Sequence, residues 1–139
     1  MIFIDSNIWC YYFNERANEH TEVFNYLEKL LAGKEEVVMN NLVVLEVAHF
    51  LVKNLGAIVG REKVEHLLTF PFVIDEFGYD DLLESVTLLS KYVQTGIGGR
   101  DAAILTTMGK LGVKRLVTHD RAFKKIDFIE VIDPVEQDT

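Results

Sequence analysis

Met1-Ile2-Phe3-Ile4-Asp5-Ser6-Asn7 opens the chain, and its reading decides the fold. The apolar run stops abruptly at a carboxylate followed by two small hydrogen-bonding residues. A strand that is apolar without alternation is covered on both faces, as interior strands of parallel sheets are. In open α/β sheets ligands collect just beyond the carboxyl ends of such strands, and that is where this pattern puts Asp5. Asp5 and Ser6 are also good helix N-caps, so this strand end taken alone allows two readings, a site or a cap.

Working outward, the same pattern returns at Lys114-Arg115-Leu116-Val117-Thr118, an apolar-centred strand followed at once by His119-Asp120-Arg121-Ala122-Phe123. Val37-Val38-Met39 reads as a second strand that runs into Asn40-Asn41, Phe72-Val73-Ile74 as a third, and Phe128 to Ile132 as the last before a polar tail. Between them lie helical patterns. His20 to Leu31 places Val23, Phe24, Leu27, Leu30 and Leu31 at helical spacing and ends at Gly33. Leu42 to Leu55 is apolar around most of its circumference, which predicts a largely buried helix stopping at Gly56. Arg61 to Phe70 forms a further helix ended by Pro71. Asp80-Asp81 opens another, in which Leu82, Leu83, Val86, Leu89 and Val93 form the expected buried stripe. Asp101 to Leu111 is the last, ending at Gly112. Asn7 to Phe13, with Trp9, Tyr11, Tyr12 and Phe13, is an aromatic turn of helix or loop expected in the core. Alternating strands and helices predict an α/β fold with a mainly parallel sheet.

The chain of 139 residues is the size of one domain, expected to span 1–139, without repeats or linkers. No apolar run approaches the roughly 20 residues of a membrane span, and the start lacks a signal peptide's basic region, so no membrane association is expected. The single cysteine, Cys10, excludes an internal disulfide framework and fits a reducing, cytoplasmic setting. The formal net charge of −8 disfavours a polyanionic partner, yet the stretch from Lys91 to Lys125 carries eight basic residues against Asp101 and Asp120. That segment is either a phosphate-facing surface around a carboxylate site or a set of solvated helix faces and turns.

Four acids stand out by position: Asp5 and Asp120 at strand ends, Asp101 at a helix start, and Glu46 inside an apolar helix, with His49 as a candidate structural partner. Carboxylates brought within several Å of each other cannot all ionise unless cations neutralise them. Mg²⁺ or Mn²⁺, hard cations that take oxygen ligands, is the inference. Thr95-Gly96-Ile97-Gly98-Gly99-Arg100 lacks the Gly-Lys-Ser/Thr ending of a phosphate loop, so its glycines are read as bringing Asp101 close to another part of the chain.

At these residues the sequence resembles the PIN domains. The matching pieces are Ile2 to Asn7, Leu42-Val43-Val44-Leu45-Glu46-Val47, Asp101-Ala102-Ala103-Ile104 and Leu116 to Phe123, in the family's order and spacing. The resemblance implies a three-layer α/β/α fold with parallel strands in order 3-2-1-4-5, and divalent-metal-dependent ribonuclease activity with one or two Mg²⁺ or Mn²⁺ ions. It carries over Asp5, Glu46, Asp101 and Asp120 as catalytic metal-binding acids, and Ser6, Asn7 and Thr118 as residues that orient them. Arg100, Arg121 and Lys124 are candidates for contacts to RNA phosphates. The length is most similar to VapC-type toxins, which implies a homodimer and a small antitoxin protein that blocks the site. A PIN nuclease of RNA processing or maturation is the alternative within the family. A zinc site at His49 and His119, a receiver-like Mg²⁺-binding signalling module using Asp75, and a catalytically silent binding module are the alternatives outside it.

Overall fold

Ile2–Ile4 forms β1, and all three of its side chains are buried, as the uninterrupted apolar run predicts. The computed structural model describes residues 1–136. β1 pairs in parallel with β2 (Val37–Asn40) on one side and β4 (Arg115–Val117) on the other. β3 (Val73–Asp75) joins beyond β2, and β5 (Glu130–Ile132) beyond β4, giving an all-parallel sheet in the order 3-2-1-4-5. In the register of β1 with β4, Ile4 lies beside Val117, so Asp5 and Thr118 leave the sheet side by side.

Six helices cover the sheet: α1 (Ser6–Phe13), α2 (His20–Ala32), α3 (Asn41–Leu55), α4 (Ala57–Leu67), α5 (Tyr79–Tyr92) and α6 (Gly99–Leu111). α1 packs against α2 and α3, α3 against α4, and α5 against α6. Trp9, Phe3, Phe123, Met39 and Ile104 are among the largest fully buried side chains, so the core runs through the sheet and along α1 and α6. α6 is the most enclosed helix, with every residue from Asp101 to Met108 buried.

Three expectations are corrected. α4 begins at Ala57 and ends at Leu67, where the pattern suggested Arg61 to Phe70. Gly56, at φ 93, caps α3 and α4 at once, and Gly60 lies inside α4 because the backbone of α3 leaves no room for a side chain there. α3 is buried only along Val43, Val47 and Leu51, whereas Leu42, Leu45 and Val52 are exposed. On α5 only Ser85 is buried, and the expected stripe of Leu82, Leu83, Val86 and Val93 faces outward. Among the described residues no helix is long and apolar enough to cross a membrane.

Candidate active site

The strand ends dictate the site. β1 stops at Asp5 because its backbone turns into α1, whose N-cap it is, with the Asp5 carboxylate accepting the Ser6 N–H at 2.6 Å. Capping uses only part of that carboxylate. Its second oxygen accepts the Thr118 hydroxyl at 2.8 Å, and the Arg100 guanidinium donates to the first at 2.7 Å. Asp5 is fully buried, so each of these donors offsets a desolvation that water no longer compensates.

Thr118, also fully buried, ties the two strand ends together. Its oxygen donates to Asp5 and accepts the backbone N–H of Asp120 at 3.0 Å and the Asn7 side-chain amide at 3.4 Å. Asp120 caps the short 3₁₀ turn Arg121–Lys125 by accepting the Ala122 N–H at 2.9 Å. Asp101, buried in the first turn of α6, accepts the Gly98 N–H at 3.1 Å in a capping box, the local role of a helix-start acid. Glu46 reaches the site from α3, where it accepts the Ser6 hydroxyl and a 3.3 Å hydrogen bond from Arg100. His49 is not its partner, and the Glu46 side chain is 40% exposed, not enclosed by the apolar residues around it in sequence.

The four acids therefore converge, and they do so on one cation. Nη1 of Arg100 faces Asp5 and Glu46, and Nη2 lies 3.4 Å from Asp101 and 3.6 Å from Asp120. Among the described residues no other lysine or arginine lies within 4.0 Å of these carboxylates, so four acids face a single positive charge. Burial holds the Asp101 carboxyl above its ordinary value and the nearby Asp120 and Asp5 add to this, against the Gly98 N–H and Arg100, which lower it. Burial opposes the charge on Arg100, but Asp5, Glu46 and Asp101 hold it firmly protonated. Burial, with Glu46 and Asp5 nearby, pushes the Cys10 thiol up to about 12, which leaves it neutral and a poor nucleophile.

The oxygen donor set suits a hard cation. A guanidinium now stands among those oxygens, and among the described residues no three His, Cys, Asp or Glu side chains close into a metal site around it. The donor chemistry fits Mg²⁺ or Mn²⁺, provided that Arg100 yields its place. The other basic candidates are also paired within the chain: Arg121 with Glu136 at 2.7 Å, and Lys124 with Asp133 at 3.4 Å.

Asp133 is a residue that the sequence reading left in the polar tail. Its side chain is almost fully buried just after β5, where it bonds the ring of His119 at 2.9 Å and accepts the Val135 and Glu136 N–H groups. The rule that singled out Asp5 and Asp120, an acid at the end of an apolar strand, also finds Asp133. Asp75, needed by a receiver-like module, lies at the end of edge strand β3 with β2 between it and β1, and pairs with Lys110. His49 and His119 form no shared metal site, since His119 is taken by Asp133.

An all-parallel α/β/α domain with acids gathered beyond the carboxyl ends of its central strands belongs to the class of folds that bind ligands at that edge. The PIN domain model matches residues 2–129, and the chain belongs to that family. Among solved structures, VapC20 of Mycobacterium tuberculosis, described as a Sarcin-Ricin loop cleaving toxin, superposes with a TM-score of 0.81 at 18% identity, covering 94% of this chain and 98% of its own. VapBC2 from Rickettsia felis, bound to a DNA fragment from its promoter, gives 0.73 at 22% identity over 96% and 98%. FitAcB from Neisseria gonorrhoeae gives 0.72 at 22% identity over 96% and 98%. At these identities the likeness is one of fold. No curated protein matches the sequence.

Proposed function

We propose that this chain is a divalent-metal-dependent endoribonuclease, one domain over residues 1–139, acting in the cytoplasm as the toxin of a prokaryotic toxin–antitoxin pair. One observation carries the reading: in a PIN domain, four carboxylates from four separate elements face a single cation at the carboxyl edge of the sheet. Asp5, Asp101 and Asp120 are the residues to hold one or two Mg²⁺ or Mn²⁺ ions, with Glu46 as a further ligand or as an acceptor for water. When bound, such an ion lowers the pKa of its water and stabilises charge developing on phosphoryl oxygens.

The chain's own residues supply the positioning. Thr118 and the Ser6 N–H hold the Asp5 carboxylate, one on each oxygen. Asn7 and Thr118 keep the turn after β4 close to α1, because Asn7 donates to Thr118 and accepts the His119 N–H. Ser6 orients Glu46. Attack by water needs no covalent intermediate, and the buried Cys10 thiol is given no part in it. Arg121 and Lys124 are the residues to take flanking phosphates. Arg121 is exposed, and an ion pair in water holds its partner weakly, so a phosphate can replace the Glu136 carboxylate.

The similar structures described as VapBC or FitAcB support an antitoxin partner here. Leu42 and Leu45 are exposed on α3 beside Glu46, which makes that face the natural landing place for a protein that blocks the site. The exposed stripe of Leu82, Leu83 and Val86 on α5 is then left for the second copy of a homodimer.

The test is cleavage of RNA by purified protein with Mn²⁺, compared with Asp5→Asn, which keeps side-chain volume and an N-cap acceptor but removes the charge. Wild-type protein cleaves and leaves 5′-phosphate ends, chelation stops it, and Asp5→Asn loses cleavage by at least about a hundredfold with an unchanged circular dichroism spectrum. Equal turnover by the variant overturns the assignment.

A further inference from the structure

We infer that Arg100 is a resident counter-cation of the acid site, which holds the four carboxylates together in the metal-free protein and must leave when a divalent cation enters. This rests on the metal-dependent reading above. With one nitrogen the planar guanidinium reaches Asp5 at 2.7 Å, the Ser6 hydroxyl at 3.4 Å and Glu46 at 3.3 Å, residues that lie 95, 94 and 54 positions from it in sequence. Its other terminal nitrogen faces Asp101 and Asp120. An ion bound by those oxygens needs the space that the guanidinium fills. A cation entering beside it also meets a like charge within a few Å, in surroundings poorly screened by water.

Two further features make exchange feasible. Arg100 supplies one positive charge to four carboxylates, so a divalent ion compensates the cluster better than the resident does. The Arg100 side chain is 35% exposed, so it already borders the solvent into which it would swing. The consequence is a competition. Metal affinity is reduced by the fraction of molecules in which Arg100 occupies the cluster, and removing the competitor removes that reduction.

The experiment uses chelator-stripped full-length protein and Mn²⁺ alone, with bound metal counted from the electron paramagnetic resonance signal of the free ion. Arg100→Gln lowers the apparent Mn²⁺ Kd by about tenfold or more, whereas Arg100→Lys, which keeps a competing charge, stays within about threefold of wild type. Metal-free Arg100→Gln also melts below wild type, and Mn²⁺ raises its Tm by more than it raises that of wild type. If Arg100→Gln is unfolded without metal, Mn²⁺ titration restores its near-ultraviolet circular dichroism with a midpoint below the wild-type Kd. Unchanged or weaker Mn²⁺ binding in Arg100→Gln, failure of Mn²⁺ to restore an unfolded variant, or no binding by any of the three proteins overturns the inference. RNA plays no part in these readouts. Tighter Mn²⁺ binding by Arg100→Gln together with absent RNA cleavage by wild type leaves the counter-cation in place and removes the nuclease.

Discussion

Thr118 shows how much one buried hydroxyl can organise. It donates to Asp5 and accepts from Asp120 and Asn7, so both strand ends of the site take their relative position from it. Thr118→Val keeps the shape and leaves an Asp5 oxygen and the Asp120 N–H without that partner. The expected cost is about 1–3 kcal/mol in urea unfolding, with RNA cleavage falling alongside it. Asp101 behaves differently, because its folded carboxyl titrates above the ordinary value of 3.8. In the window from 3.8 up to that raised value the folded metal-free protein holds a proton that the unfolded chain has released. Asp101 therefore makes the metal-free protein less stable as pH rises through the window. At this scale Asp5, Asp101 and Asp120 are legible in the sequence, because strand ends and a glycine-led helix start are local patterns, whereas Glu46 stands out as a carboxylate amid apolar helix residues that do not in fact enclose it. Arg100 at their centre was not legible, since no spacing rule says where a long flexible side chain finds its partners once the chain has folded. Asp133 was legible in principle and was hidden only by the polar residues that follow it.

Elements were read best where burial is complete. β1, β2 and the middle of β4 are apolar runs covered on both faces, and the structure buries them as the runs predict. Helices α3 and α5 are less buried than their apolar patterns predict. Apolar periodicity reports that a face is to be covered, without saying whether this chain or another covers it. The start of α4 was hidden by two glycines, which read as breakers. In the structure a Cβ on Gly60 would lie 2.5 Å from the Val52 α-carbon, so this glycine lets α3 and α4 approach closely. Gly60→Ala gains helix propensity worth up to about 1 kcal/mol, but it forces two backbones apart. The net result expected from thermal unfolding is a loss of about 1–3 kcal/mol. Because α3 carries Glu46, cleavage by the variant falls as well.

For the whole molecule, charge is spent internally. Of the eight basic residues between Lys91 and Lys125, Arg100, Lys110, Arg115, Arg121 and Lys124 all pair with carboxylates. Most of the basic segment's charge is thus paired with carboxylates within the chain, so a phosphate must displace a carboxylate to bind there. The sheet order agrees with the one that the resemblance implied, and it places β1 and β4 side by side, which is why Asp5 and Asp120 meet. The deficit of positive charge at their meeting point is the feature on which the proposed chemistry depends. An anomalous difference map from crystals equilibrated with Mn²⁺ tests it most directly. The account predicts a peak among Asp5, Asp101 and Asp120 with the Arg100 side chain turned away. Arg100 still bonded to Asp5 at saturating Mn²⁺, with no peak among the four acids, would contradict it.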